Sequence, residues 1–193
     1  DGTLWTWGGN TYGELGHDDI TSRSTPEQVG ALTTWSKVSV GDHFTTLIKT
    51  DGTLWVMGLY DNYRTSLTSD KSTPTQVGSL TNWLDVSSHN LQTLAIQTDG
   101  SLWGWGNNEE VYGATSAATY SPQQVTTSTD WIAVSIGDDF SLAQKSDGTL
   151  WIAGDISGFP DELDINNFEY ENFFRPVAPF GSEVVSFDAG SSH

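Results

Sequence analysis

The chain has 193 residues, no cysteine, and 25 acidic against 7 basic side chains, a formal net charge of −18. That length can bury a core without staples, and the missing cysteines exclude a disulfide framework, a thiolate nucleophile and a cysteine-ligated metal. The scarcity of lysine and arginine argues against a nucleic-acid partner, and no apolar run approaches the ~20 residues that a membrane-inserted helix needs. With 17% charged and 12% aromatic residues and nine tryptophans, the composition is that of a folded chain.

The elements recur on a fixed beat. Asp-Gly-Thr/Ser-Leu-Trp occurs at Asp1–Trp5, Asp51–Trp55, Asp99–Trp103 and Asp147–Trp151. Pro26, Pro74 and Pro122 keep the same spacing, each with a valine three residues on: Val29, Val77 and Val125. Trp35, Trp83 and Trp131 keep it too, each followed by Val-Ser at the third and fourth positions. Within a repeat, two short apolar runs flank Asp-Gly, which predicts a hairpin with a type I′ turn. A Gly/Asn-rich loop follows, then a Pro-x-Gln-Val strand whose leading proline marks an edge, then the Trp-x-x-Val-Ser strand. Four strands in ~48 residues, with no amphipathic helical pattern, predict an all-β propeller of about four blades with four antiparallel strands each. The predicted organisation is one array over residues 1–193, with repeats at about 1–50, 51–98, 99–146 and 147–193 and an acidic, aromatic insertion at 155–175. Both ends fall inside a repeat, so a fragment of a longer chain is expected.

Asp1–Gly8, Asn10-Thr11-Tyr12-Gly13-Glu14-Leu15-Gly16 and the Trp-x-x-Val-Ser-x-Gly element together resemble the regulator of chromosome condensation repeat. That resemblance covers nearly the whole chain and implies a propeller used for recognition; its members serve as exchange factors, enzyme inhibitors, ubiquitin-pathway modules and adhesins. The Gly-Glu-Leu-Gly element survives only in the first repeat, and Phe44, Gln92 and Phe140 stand where the family usually has histidine, which only His193 restores.

The tryptophans at repeat-equivalent positions, with Trp7 and Trp105, are expected to pack between blades. No phosphate loop, His-Glu-x-x-His pair or Gly-x-Ser-x-Gly elbow is present, so no catalytic, cofactor-binding or metal residue is assigned and the protein is read as a non-enzyme. No cofactor is expected. Calcium is kept open at Asp161–Asn167, where the EF-hand register fails, and a divalent ion at His17-Asp18-Asp19, whose remaining ligands are not visible.

Aromatics in loops that differ between repeats are the candidate contact surface: Tyr12, Tyr60, Tyr63, Tyr112, Phe159, Tyr170 and Phe173. The reading is therefore a non-catalytic module binding a protein or glycan, with an extracellular or virion-surface setting favoured. The alternative is a structural or receptor-binding component of a virus particle or other extracellular assembly, with neighbouring subunits as partners. A guanine-nucleotide exchange regulator is third, disfavoured by the acidic charge.

Overall fold

A computed structural model describes residues 1–59, 70–106, 119–138, 140–154, 174–177 and 187–189. Its elements are all strands: β1 (Trp5–Gly8), β2 (Arg23–Gln28), β3 (Trp35–Val40), β4 (Phe44–Lys49), β5 (Leu54–Gly58), β6 (Lys71–Gln76), β7 (Trp83–His89), β8 (Gln92–Gln97), β9 (Leu102–Gly106), β10 (Thr119–Gln124), β11 (Trp131–Ile136), β12 (Phe140–Lys145), β13 (Leu150–Gly154) and β14 (Arg175–Pro176). They form four antiparallel sheets: β1–β2, β3 to β6, β7 to β10 and β11 to β14, each with sequential neighbours paired. The expected all-β blade architecture is present. The first sheet departs from it, with two strands that match the third and fourth strands of the others in sequence and pairing.

Sequence explains the order within a sheet. The central strands β4, β8 and β12 have both faces covered and read as almost wholly buried runs, whereas β2 and β6 carry Thr, Pro, Glu and Gln on exposed edges. Pro26 and Pro74 lie inside these edge strands rather than at their starts. The register is irregular there, between Val56 and Gly58 opposite Thr75 to Lys71 for example, so no regular ladder bond is lost to the missing N–H.

The Asp-Gly turns also differ from expectation. Gly100 N donates to Gln97 O at 2.9 Å and Gln97 N to Ser101 O at 3.0 Å, which makes a three-residue loop, Thr98-Asp99-Gly100, with glycine as its last member. Only the glycine takes positive φ, +80°, whereas a type I′ turn would demand it of the aspartate too. The same pattern holds at Lys49–Thr53 and Lys145–Thr149. The aspartate instead organises the turn. Asp51 Oδ1 accepts from Thr53 N at 3.0 Å and from Thr53 Oγ1 at 2.6 Å, and Thr53 Oγ1 accepts from Trp55 Nε1 at 2.7 Å. This Asp–Thr/Ser–Trp relay recurs at Asp1, Asp99 and Asp147 and accounts for three positions of the repeated motif.

Each core is shared by two neighbouring sheets. Leu4 and Val29 meet Trp35, Leu47 and Met57; Phe44, Ile48, Leu54, Val56 and Val77 meet Trp83, Val86, Ala95 and Trp105; Leu94, Ile96 and Leu102 meet Trp131, Val134, Ile136 and Phe174. The tryptophans behave as expected at most positions. Trp35–Trp55, Trp83–Trp103 and Trp131–Trp151 pack edge to face at 5.9, 6.2 and 5.7 Å, arrangements worth about 0.5–1.5 kcal/mol beyond area burial. Trp5 and Trp7 are the correction: they are 50% and 58% exposed, and among the described residues no sheet lies against that face of β1.

A serine on each innermost strand stitches the sheets. Ser39 Oγ accepts from Ser88 N at 2.8 Å, Ser87 Oγ from Ile136 N at 3.0 Å, and Ser135 Oγ from Ala189 N at 3.0 Å. In the third and fourth sheets the Val-Ser pair thus has a divided task, Val86 and Val134 for the inter-sheet core and the serine for the neighbouring backbone, whereas Val38 is exposed.

Candidate functional site

The strands give the sheets two unlike ends. At one lie the Asp-Gly turns and the connections through Thr33-Thr34, Thr81-Asn82 and Thr129-Asp130. These are tied identically: Trp35, Trp83 and Trp131 N–H donate to Gly2, Gly52 and Gly100 O at 3.1, 3.0 and 3.1 Å. At the other end, β4, β8 and β12 begin beside the ends of β5, β9 and β13, with Phe44 paired to Gly58, Gln92 to Gly106 and Phe140 to Gly154. The connections from Gly8, Gly58, Gly106 and Gly154 to the outermost strands leave from this end, and so do the short loops after β3, β7 and β11.

Of the candidate contact residues, Tyr12 is described; Tyr60, Tyr63, Tyr112, Phe159, Tyr170 and Phe173 lie outside the described residues, as does Asp161–Asn167. Tyr12 sits on the 9–22 connection. Asn10, fully buried, holds this segment from within: its Nδ2 donates to Asp19 O at 3.0 Å and Thr21 O at 3.1 Å, and its Oδ1 accepts from Leu15 N at 2.9 Å. Asp18 N donates to Ser72 O at 2.7 Å and Thr45 Oγ1 to Glu14 O at 3.0 Å, fastening the segment to the second sheet. Tyr12 is thereby set against the ring of His43, centroids 4.8 Å apart. His43, exposed on the loop after β3, is the partner that sequence reading left unpaired with Tyr12; the two are 31 positions apart and belong to different sheets.

The charged residues of the segment are engaged with each other. Arg23 grips Asp19 through Nη1 and Nη2, both at 3.0 Å, and reaches Glu27 through Nε at 2.6 Å. The Arg23 hydrogen bonds, with a backbone bond from Thr21, hold the Asp19 carboxyl down at about 2. His17 Nε2 is 3.0 Å from Thr6 Oγ1, and His17 Nδ1 is 3.9 Å from Glu27 Oε1. Thr6, His17 and Glu27 therefore stand in the order of a nucleophile, base and orienting acid. The order has no such use here: Thr6 gives its hydroxyl proton to Leu15 O at 2.7 Å, so Nε2 donates to the hydroxyl rather than taking its proton, and Thr6 is buried. His17, Asp18 and Asp19 each have other partners, and no group of three potential metal ligands converges among the described residues.

Comparison with known proteins fits this geometry. Residues 1–48 match the family model of the regulator of chromosome condensation (RCC1) repeat. Yeast RCC1 (Prp20), solved bound to Kap60, superposes with a TM-score of 0.78 at 17% identity over 98% of this chain and 48% of that one. Prp20p from Saccharomyces cerevisiae, studied with its binding to Gsp1p and histones, gives 0.75 at 15% identity over 98% and 50%. Human WBSCR16 gives 0.74 at 18% identity over 93% and 48%. The chain spans about half the length of each. Residues 1–48 thus resemble an RCC1 repeat, and the described chain has the fold of the RCC1-type β-propellers.

Proposed function

We propose that the protein is a non-catalytic protein-binding module, acting without a cofactor, and that it binds through the loop-bearing end of its sheets around Tyr12 and His43. The observation that carries this reading is the contrast between the two ends. Every Asp-Gly turn repeats the same hydrogen bonds, as a scaffold requires, while the loops after β3, β7 and β11 differ from one another: Gly41-Asp42-His43, His89-Asn90-Leu91, Gly137-Asp138-Asp139. Recognition residues concentrate in such divergent loops on a rigid frame. The yeast RCC1 structures, with Kap60, Gsp1p and histones as partners of that protein, support a protein ligand here.

The test is affinity capture with the immobilised full chain, followed by calorimetry on the partner identified. Tyr12→Ala and His43→Ala should each weaken that partner at least about tenfold, as anchor residues do. Thr33→Ala, exposed at the opposite end, should leave it unchanged. Loss with Thr33→Ala and not with Tyr12→Ala would place binding at the wrong end. A ligand found only on a glycan array would replace the protein partner with a sugar.

A further inference from the structure

The loop after β7 holds its two neighbours by different means. Toward the second sheet it has a backbone bond, Asp42 N–H to Asn90 O at 3.2 Å. Toward the fourth sheet it uses side chains: His89 Nε2 is hydrogen-bonded to Asp138 Oδ1, and Asn90 Nδ2 lies 3.3 Å from the same oxygen. Asn90 adopts φ +44°, a left-handed conformation that asparagine tolerates, and in the same loop carries both the carbonyl facing Asp42 and the amide facing Asp138. The repeat shows that this pairing is peculiar to one junction. Gly41 stands where His89 would be in the second sheet and Gly137 in the fourth, and a glycine has no side chain with which to reach across.

We propose that His89 and Asp138 form a proton-sensitive latch between the third and fourth sheets at the loop-bearing end. Imidazole is the side chain that changes charge between about pH 5 and 8. Protonated, it gives Asp138 an ion pair and a hydrogen bond between two charged groups; neutral, it leaves a hydrogen bond to the carboxylate without the ion pair. Among the described residues, the charged and titratable groups on the flanking loops are Asp138 on one side and Asp42 and His43 on the other. The latch is therefore tighter with His89 protonated than with it neutral, so acid strengthens it and base weakens it. His89 and Asp138 are each about one-third exposed, so protons reach the pair without unfolding.

Hydrogen exchange on the full chain at pH 5.5 and 8.0, corrected for the intrinsic pH dependence of exchange, reads the latch directly. Peptides covering His89–Leu91 and Ile136–Asp138 should lose about three-fold in protection at the higher pH, the size expected of a partly exposed ion pair. The turn at Lys49–Thr53 should not change. His89→Gln and Asp138→Asn replace partly exposed side chains with neutral ones of similar size, and each should abolish the pH dependence at both loops. Equal protection of the wild type at the two pH values, or a pH dependence that persists in both variants, overturns the proposal.

Discussion

The two ends of the sheets are made from the same strands, yet they obey opposite rules. At the Asp-Gly end each turn repeats one relay, the threonine or serine hydroxyl donating to aspartate and accepting from tryptophan Nε1, and at Gly2, Gly52 and Gly100 the carbonyl accepts the next sheet's tryptophan N–H. At the other end each loop has its own partners, Tyr12 on His43 at one junction and His89 with Asp138 at another. A repeat that must bury its face against a neighbour is constrained where one backbone contact recurs from junction to junction, and variation gathers where the contacts differ. The difference predicts that substitutions at the first end act on stability and those at the second act on binding.

The largest effect should come from the glycine that seats one sheet on the next. A Cβ at Gly52 would lie 2.3 Å from Thr81 O, and Gly52 has φ +76°. Gly52→Ala thus combines a backbone clash with left-handed strain and should cost about 3 kcal/mol or more. Gly30 is the control, with φ +57° and open space where a Cβ would project, so Gly30→Ala should cost only about 1 kcal/mol. Urea unfolding midpoints measure both. Equal losses would show that the close approach between sheets does not constrain the turn.

A middle-sized effect should follow from cutting the relay. Thr53→Val keeps the shape but leaves Trp55 Nε1 without its acceptor and Asp51 without its hydroxyl donor, at about 1–2 kcal/mol. It should also change the acid limb of the stability curve. Asp51 is held below the ordinary carboxylate value first by the Thr53 hydroxyl and then by the Thr53 N–H; Asp99 and Asp147 are lowered in the same way. A lowered folded-state value means that the contribution is present above about pH 4 and lost as pH falls toward the folded-state value. Thr53→Val should flatten that acid loss, and an unaltered acid limb would remove the relay as its source.

How much of this could be read in advance follows from the range of each interaction. Strand order, edge prolines and the buried tryptophans were legible because their signals are local and repeated three or four times. The turn geometry was not, since Asp-Gly suits both a two-residue loop and the last two places of a three-residue one, and the hydroxyl of Thr53 or Ser101 sets the register. Trp5 and Trp7 share a motif with half-buried or buried counterparts but among the described residues have no sheet opposite them, a condition that no residue of their own strand encodes. The pairs Tyr12–His43 and His89–Asp138 were invisible because they are 31 and 49 positions apart and each occurs once. The serine stitch was half legible: Ser39, Ser87 and Ser135 repeat visibly, but only the adjacent strand reveals that they accept a backbone N–H.

The smallest expected effect probes an exception within the uniform end. In the second and fourth sheets a lysine lies over the tryptophan pair: Lys49 Nζ is 3.5 Å from the Trp55 centroid, and Lys145 Nζ is 4.8 and 4.5 Å from Trp131 and Trp151. Lys145 also pairs with Asp130 at 3.1 Å. The third sheet has the neutral equivalents, Asn82 Nδ2 donating to Gln97 Oε1 at 2.9 Å beside Trp83 and Trp103, with Gln97 Nε2 and Asn82 Oδ1 buried and without hydrogen-bond partners. Replacing both, Asn82→Asp with Gln97→Lys, should recreate the arrangement of the fourth sheet, relieve the two unpartnered atoms and add a cation–π contact. A gain of about 1 kcal/mol follows, or about 2–4 °C in Tm. Asn82→Asp alone should destabilise, since its carboxylate would meet Gln97 in place of an ammonium, and the double variant should exceed the sum of the single ones. Additive or negative coupling would mean that the lysine over each tryptophan pair is tolerated by the turn end rather than part of what holds it.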